Sequence, residues 1–305
     1  MTCSRRALLN SLTRSSLCAA MGLLSLLAPV HADAIDRARP LIVFMTDFGV
    51  IDDAVAICKG VMKTIAPDAE IIDLTHQVTP YSIADGARLL VRTAQYYPAG
   101  TVFVTVIDPG VGTSRKSIVL KTRRGQYFVL PDNGLVTQVA ERDGVAGIRE
   151  ITNPAWQLRG SSSSTFHGRD VYSPVAAHLA RGQDWTRVGP ALSTYTRLDV
   201  PQATSDSTGI EGSVVALDGP FGNLVTNIGR EEFQQLGFRP GEMVHVSVGS
   251  VELSVPFGRT FGDVAPGAAL LFIDSRKQVS LAVNQGNFAE KYQIAPPAPL
   301  VIFRK

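Results

Sequence analysis

Along residues 41–180, short unbroken apolar runs alternate with longer segments in which apolar residues recur at helical spacing. The short runs predict β-strands and the periodic segments predict α-helices. The predicted elements are strand Leu41–Met45, helix Asp52–Ala66, strand Glu70–Leu74, helix Ile83–Tyr97, strand Val102–Ile107, hairpin strands Ser117–Lys121 and Tyr127–Leu130, and helices Leu135–Arg142 and Val171–Ala180. This alternation predicts an α/β domain with a largely parallel sheet, which we place at residues 40–190.

The pattern changes near Gly182. Residues 184–212 are rich in Pro, Thr and Ser and show little periodicity, so we place a linker at 191–212. Beyond it, short strands predominate and only the helix Glu231–Leu236 interrupts them. These strands are Ser213–Leu217, Leu224–Ile228, Met243–Val248, Val251–Val255, Ala269–Ile273, Val279–Val283 and Leu300–Phe303. Their spacing predicts an antiparallel barrel or sandwich over residues 213–305.

Residues 1–34 have the organisation of an export signal. Residues 4–9 form a twin-arginine pattern, Ser-Arg-Arg-Ala-Leu-Leu, and an apolar run from Leu17 to Val30 follows, with a cleavage site after Ala32 or Ala34. The run is shorter than the roughly 20 residues that a membrane span requires. The alternative interpretation is an ordinary amphipathic leader helix. We expect a bacterial protein that is exported to the periplasm and has no membrane segment after signal removal.

Composition narrows the possible classes of function. Hydrophobic residues make up 45% of the chain and charged residues 18%, which excludes a disordered polar chain. Basic and acidic residues number 29 and 27, so the chain lacks the positive charge expected of a nucleic-acid-binding protein. Removal of the signal would leave Cys58 as the only cysteine, without a partner for an intrachain disulfide. Its apolar surroundings predict a buried helix residue and not a nucleophile.

Three polar clusters stand where α/β domains bind ligands, beyond the carboxyl ends of strands or at the start of a helix. They are Thr46-Asp47-Phe48-Gly49, then Asp108-Pro109-Gly110-Val111-Gly112 with Arg115, and Phe166-His167-Gly168-Arg169-Asp170. Each has a structural alternative. Asp47 could cap the next helix, Asp108 and Arg115 could form a turn ion pair, and Arg169 and Asp170 favour a local ion pair. At a helix N-terminus, the imidazole of His167 should be neutral.

Other chemistries lack the motifs they need. The glycines of the second cluster lack the third glycine of a dinucleotide fingerprint, and no zinc-protease or serine-hydrolase motif is present. His76, His178 and His245 have no motif around them, and we expect them to be structural.

Five motifs in order resemble those of one family, the S-adenosyl-L-methionine (SAM) hydroxide adenosyltransferases, or adenosine-forming SAM hydrolases, which are relatives of fluorinase and chlorinase. The motifs are Thr46-Asp47-Phe48-Gly49, Asp108-Pro109-Gly110-Val111-Gly112-Thr113, Pro131-Asp132-Asn133-Gly134-Leu135, Phe166-His167-Gly168-Arg169-Asp170 and Asp218-x-Pro220-Phe221-Gly222-Asn223-x-x-Thr226-Asn227. The resemblance runs from Pro40 to Phe303. It implies an α/β N-terminal domain, a C-terminal antiparallel β-barrel, and a homotrimer whose sites lie between neighbouring subunits.

The resemblance also implies an activity, the hydrolysis of SAM to adenosine and L-methionine by attack of water on the 5′ carbon. The residues that handle water are then Asp108, Arg115 and His167; whether Asp108 is the base or the other two polarise the water stays open. The implied substrate-binding residues are Asp47 for the ribose, Tyr81 near the sugar or base, Asp218 for the methionine ammonium, Phe221 and Asn223 for the sugar–adenine region, Phe261 for adenine, and Ser275 with Arg276 for the carboxylate. For Phe221 and Phe261 the alternative is barrel core. No metal or cofactor is expected.

Two other functions compete with this one. Halogenases resemble the same scaffold but have Tyr at the position of Asp108, and fluorinase has Ser at that of Gly168 and an insertion at the turn Thr122–Gly125. These departures favour water over halide. A periplasmic nucleoside- or SAM-binding protein without turnover is the second alternative, because SAM is a cytoplasmic metabolite and export would separate the protein from it.

Overall fold

The computed structural model describes residues 39–160 and 163–305, and the predicted export signal at 1–34 lies outside the described residues. The strands are β1 (Leu41–Thr46), β2 (Glu70–Thr75), β3 (Val102–Val106), β4 (Ser117–Thr122), β5 (Tyr127–Pro131), β6 (Val145–Glu150), β7 (Ala191–Leu192), β8 (Thr204–Ser205), β9 (Gly209–Asp218), β10 (Asn223–Gly229), β11 (Met243–Val248), β12 (Val251–Pro256), β13 (Ala269–Ile273), β14 (Gln278–Val283) and β15 (Ala298–Phe303). The helices are α1 (Ala54–Ile65), α2 (Ile83–Ala94), α3 (Thr137–Asp143), α4 (Ser173–Ala180), α5 (Arg230–Gln234) and α6 (Phe288–Tyr292). None of these helices is long and apolar enough to span a membrane.

The N-terminal strands form a mixed sheet in the order β2-β1-β3-β5-β4-β6-β7. The pairs β1–β2, β1–β3 and β3–β5 are parallel. The pairs β4–β5, β4–β6 and β6–β7 are antiparallel. The prediction of a largely parallel sheet is therefore corrected to a mixed one. The turn between β4 and β5 is too short for the crossover that a parallel pair needs, so β4 and β5 form the predicted hairpin.

Helices cover both faces of this sheet. Successive residues of its central strands point to opposite sides, and the helices bury both sets of side chains. On one face Phe44 packs with Cys58 of α1 and with residues of α4. On the other face Val43 packs with Leu90 of α2 and Val139 of α3. Cys58 is completely buried, as its apolar surroundings predicted.

The C-terminal strands form a second, antiparallel sheet in the order β12-β11-β15-β9-β10-β14-β13, with β8 paired to β9. A bridge between Phe257, just after β12, and Leu271 of β13 brings the two ends of the sheet together. Leu224, Val246 and Leu300 are fully buried in its core. Of the two architectures that the sequence allowed, the structure has the nearly closed, barrel-like one.

Three segments differ from the sequence expectations. The C-terminal strands are interrupted by a second short helix, α6, although only the helix Glu231–Leu236 was expected there. β6 was not predicted, because its sequence Val-Ala-Gly-Ile-Arg-Glu contains a glycine and two charged residues. The range assigned to the linker contains β7, β8 and the start of β9 at Gly209. β7 and β8 are too short to show a period in the sequence.

The segment from Pro131 to Leu135 connects the residues that follow β3 to the rest of the domain through a hydrogen bond and a close backbone contact. The side-chain amide of Asn133 donates to the carbonyl of Ile107 at 2.9 Å, directly before Asp108. Gly134 has a φ of +98°, and a Cβ atom at this position would lie 2.8 Å from the backbone nitrogen of Leu198. A glycine is therefore needed where the chain after β5 passes the segment at residue 198.

We expect Gly134→Ala to lower the free energy of unfolding by roughly 1–3 kcal/mol, because the added Cβ strains the backbone and meets Leu198. Gly60→Ala is the matched control. Gly60 lies within α1 with nothing within 4 Å of an added Cβ, so this change should stabilise the protein by roughly 0.5–1 kcal/mol. Denaturant unfolding measures both values. Equal stability of Gly134→Ala and wild type would contradict the close approach.

Candidate active site

A cavity of about 380 Å³ opens beyond the carboxyl ends of β1 and β3. Four segments form its walls: the three loops that carry the predicted polar clusters, and the segment at Tyr81. The lining residues are Asp47, Phe48, Pro80, Tyr81, Val106, Asp108, Val111, Thr165, Phe166, His167 and Gly168. The fold therefore brings together, at one edge of the sheet, clusters that lie far apart in the sequence.

Asp108, which lines this cavity, forms an ion pair with Arg115. Arg115 Nη2 donates to Asp108 Oδ2 at 2.5 Å, and the two side chains are only 10% and 4% exposed, respectively. The other carboxylate oxygen, Oδ1, is buried and has no hydrogen-bond partner within the part of the chain that the structure describes. A turn ion pair alone explains Oδ2 but leaves Oδ1 unexplained, since buried acceptors are normally satisfied. A residue that lines a cavity and keeps a free acceptor is suited to hold a water or a substrate atom.

His167 approaches the same guanidinium from the opposite loop. Its Nδ1 lies 3.4 Å from Arg115 Nη2. Because a guanidinium can only donate, Nδ1 must be unprotonated for this contact to be favourable. Burial and the neighbouring charge of Arg115 both lower the pKa of His167. The imidazole is therefore neutral near neutral pH, as the sequence analysis expected.

Burial also sets the basicity of Asp108. Removal from water raises the pKa of this carboxyl group, although the positive charge of Arg115 and the hydroxyl of Tyr172 oppose the increase. A carboxylate of raised pKa accepts a proton more readily near neutral pH than an exposed one. Asp108 thus combines a free oxygen with increased basicity.

Two further residues complete the surroundings of Asp108, and sequence reasoning missed both. The buried hydroxyl of Tyr172 donates to Asp108 Oδ2 at 3.3 Å, and Ser117 Oγ donates to Tyr172 Oη at 3.1 Å. Tyr172 lies in a π-helical turn over Gly168–Tyr172, where its sequence resembles ordinary helical core. Ser117 is the first residue of β4, two positions after Arg115, which is the only sequence signal it carries.

Asp47 does not cap helix α1, so that structural alternative is wrong. The helix begins at Ala54, whose backbone amide donates to Asp52 at 3.1 Å. Asp47 Oδ2 instead accepts the backbone amide of Tyr81 at 2.9 Å. Tyr81 has a φ of 65° and its residue surface is 74% exposed beside the cavity. The contact joins two walls of the cavity and places a carboxylate at its rim.

The buried His76 contacts the loop that carries Asp47. Its Nδ1 lies 2.9 Å from Thr46 Oγ1, and the Phe48 amide donates to that same hydroxyl at 3.2 Å. His76 therefore has a structural role, as its lack of a motif predicted. Arg169 and Asp170 form the expected local ion pair at 2.6 Å.

Five of the six predicted C-terminal site residues lie in two neighbouring turns, the sixth, Phe261, lies between β12 and β13, and none of the six lines the cavity. Asp218, Phe221 and Asn223 occupy the turn from β9 to β10, and Ser275 and Arg276 that from β13 to β14. Arg276 Nη2 donates to Asp218 Oδ1 at 3.0 Å, and both side chains are partly exposed.

Phe221 and Phe261 are not part of the barrel core, which was the alternative for both. Phe221 is 66% exposed. Phe261 is 44% exposed, although its ring contacts that of Phe272 edge-on. Exposed aromatic side chains of this size are available for a ligand or for another surface.

The described residues contain no group of three or more His, Cys, Asp or Glu side chains that could hold a metal ion.

Comparison with known families agrees with this geometry. A model of the SAM hydroxide adenosyltransferase N-terminal domain matches residues 42–189, and a model of the C-terminal domain of the same family matches residues 212–301. The chain belongs to this family. The N-terminal match contains the whole cavity, and the C-terminal match contains the turns that carry Asp218 and Arg276.

Individual relatives of the family cover most of the chain. A protein of Salinispora tropica named (R)-S-adenosyl-L-methionine hydrolase is 39% identical in an alignment of 266 positions that covers 84% of this chain and 95% of that protein. A fluorinase of Nocardia brasiliensis is 32% identical and covers 84% of this chain and 94% of its own length. A crystal structure of a Thermotoga maritima protein superimposes with a TM-score of 0.81 at 41% identity, over 86% of this chain and 99% of that one.

Proposed function

We propose that this protein hydrolyses SAM to adenosine and L-methionine by attack of water on the 5′ carbon of the ribose. One observation carries the proposal: the cavity is lined by Asp108, a buried carboxylate with raised pKa whose Oδ1 has no hydrogen-bond partner among the described residues. Fluorinase relatives share the fold, but a free basic carboxylate serves water, which must lose a proton, and not a halide ion, which has none. The name of the Salinispora tropica relative supports the same activity.

The chemistry needs little beyond a positioned water. A bond forms between the water oxygen and C5′ while the C5′–S bond breaks, and its electron pair returns to sulfur to give the neutral thioether of methionine. The sulfonium is already a good leaving group, so no general acid and no metal or cofactor is required. The water proton passes to Asp108, and general-base catalysis of this kind contributes roughly 10²–10⁴-fold. Arg115 and neutral His167 orient the water and stabilise the carboxylate.

The substrate would be held at its two ends by residues of opposite halves of the chain. Asp47, at the rim of the cavity, binds the ribose hydroxyls, and Tyr81 lies beside the sugar or base. The Asp218–Arg276 pair presents one negative and one positive group 3.0 Å apart, which matches the ammonium and carboxylate of the methionine end. Ser275 adds to the carboxylate contact, and Phe221, Asn223 and Phe261 contact the sugar and adenine.

A homotrimer would unite these two sets of residues. The cavity is lined by residues between 47 and 168, while Asp218 and Arg276 lie in turns of the barrel-like sheet. Tyr81, Phe221 and Phe261 are exposed aromatic side chains, which an approaching subunit would cover. A contact between the N-terminal domain of one subunit and the C-terminal domain of the next is heterologous, and such contacts close into rings.

Two expectations from the sequence accompany this proposal. The first is the division into domains at 40–190 and 213–305, with a connection at 191–212. The second is export to the periplasm by the twin-arginine route, for which the pattern at residues 4–9 is the support.

The mature protein, incubated with SAM, should release adenosine and methionine in equal amounts, which chromatography detects. Both sulfonium epimers should be supplied, because the name of the Salinispora tropica relative specifies the (R) form. Asp108→Asn keeps the shape of the side chain but removes its charge, so we expect turnover to fall by at least roughly 10²-fold. Binding of SAM should persist in this variant.

Adenosine release by Asp108→Asn at the wild-type rate would remove Asp108 from the mechanism. Binding of SAM without any adenosine from the wild-type protein would favour the non-catalytic binding protein. A halogenated nucleoside that forms only after addition of fluoride or chloride would favour the halogenase.

Asp47→Ala should weaken adenosine binding in calorimetry, since each hydrogen bond to a charged acceptor contributes roughly 1.5–3 kcal/mol. One such bond corresponds to an increase in Kd of about tenfold or more. Asp52→Ala is the matched control, because Asp52 accepts the amide of Ala54 at the start of α1 and does not line the cavity. Equal affinity of Asp47→Ala and Asp52→Ala for adenosine would exclude the ribose contact.

Subunit mixing tests the shared site. Asp108→Asn chains and Arg276→Ala chains should each be inactive, and exchange between them should restore part of the activity. Mixed trimers contain interfaces that combine an intact N-terminal face with an intact C-terminal face. Light scattering should report three subunits. An active monomer, or no recovery after demonstrated subunit exchange, would contradict the shared site.

A further inference from the structure

Asp108 belongs to a closed ring of hydrogen bonds that includes two residues with no assigned role. Arg115 Nη2 and the Tyr172 hydroxyl both donate to Asp108 Oδ2, at 2.5 and 3.3 Å. Ser117 Oγ donates to the Tyr172 hydroxyl at 3.1 Å and accepts from Arg115 Nη1 at 3.2 Å. The ring therefore passes from Asp108 to Tyr172, to Ser117, to Arg115 and back to Asp108.

The direction of these bonds matters for the carboxylate. A tyrosine hydroxyl has one proton, and the hydrogen bond that it accepts from Ser117 leaves that proton available for Asp108. The two donors converge on Oδ2, and Oδ1 is the oxygen that stays without a partner among the described residues. The two side-chain donors thus hold the carboxylate by Oδ2.

We infer that Tyr172, oriented by Ser117, is a positioning residue that holds the Asp108 carboxylate by Oδ2 and so fixes its orientation and basicity for the reaction. The inference rests on the proposed function for the identity of the reaction. Tyr172 itself does not line the cavity and acts only through Asp108.

The Tyr172 hydroxyl also favours the charged form of Asp108. The groups that face this carboxylate are Arg115, His167 and Tyr172, together with the backbone amide of Gly110. Burial raises the pKa of Asp108, and the hydrogen bond from Tyr172 is one of the interactions that lower it. Loss of this hydrogen-bond donor should therefore raise the pKa of Asp108 further. A hydroxyl that merely filled the core would have no such effect.

Tyr172→Phe removes the donor and keeps the ring, and titration of Asp108 by carbon-13 NMR of labelled aspartate reports the result without any need for turnover. Asp108→Asn identifies the resonance. We expect the Asp108 midpoint to move to higher pH in Tyr172→Phe and, by a smaller amount, in Ser117→Ala. Tyr127→Phe is the matched control, since Tyr127 packs against Trp185 and does not line the cavity; its midpoint should equal that of wild type.

In the active enzyme, the acid limb of the pH profile of adenosine formation should move in the same direction. At the optimum, kcat should fall about tenfold with little change in KM, because a misplaced base affects the chemical step and not binding. An Asp108 midpoint in Tyr172→Phe and Ser117→Ala equal to that of wild type would overturn the inference. If the wild-type protein did not hydrolyse SAM, the proposed function would fail while the NMR titration still decided the role of Tyr172.

Discussion

The candidate site depends on an ion pair that is withdrawn from water. Burial of two charges costs several kcal/mol per ion unless good geometry and further hydrogen bonds compensate. Arg115 meets this condition at its two terminal nitrogens, which donate to Asp108, Ser117 and the carbonyl of Lys116, whereas its buried Nε has no partner among the described residues. Asp108 meets it at only one of its oxygens. A buried oxygen without a hydrogen-bond partner destabilises the folded protein. Destabilising features of this kind are concentrated at functional sites, and this one belongs to a residue that lines a cavity.

The mixed sheet is what allows this pair to form. Asp108 follows the end of β3, which runs parallel to β5, so the ends of both strands lie at one edge. β4 is antiparallel to β5, and its first residue, Ser117, is paired with Pro131 at the end of β5. The start of β4 therefore lies at the same edge as Asp108, and the connecting turn returns Arg115 to it. If β4 were parallel, Ser117 would lie at the opposite edge, away from Tyr172.

The titratable residues of the cavity were visible in the sequence, whereas the residues that orient Asp108 were not. Asp47, Asp108 and His167 interrupt an apolar pattern at predicted ends of strands or at the start of a helix, and the structure places all three around one cavity. Tyr172 follows the helical pattern and is indistinguishable from core until its hydroxyl is located in three dimensions. The antiparallel course of β4 and β6 was partly hidden, because Gly147 and the charged residues of β6 obscure its strand pattern. For Phe221 the sequence left a substrate contact and barrel core as alternatives, and the exposed side chain excludes the core.

The two ion pairs of the proposed site differ in burial, and this difference suits them to different roles. Asp218 and Arg276 are 40% and 35% exposed, and exposed pairs contribute only about 0–1 kcal/mol, so a zwitterionic ligand can replace their mutual contact at small cost. Asp108 and Arg115 are 4% and 10% exposed, so separating them would leave a buried charge without a partner. The first pair is therefore suited to open for each substrate molecule, and the second to stay intact through turnover. Because the intact pair lies wholly within the N-terminal part of one chain, the basicity of Asp108 is set before the methionine end of a substrate is bound.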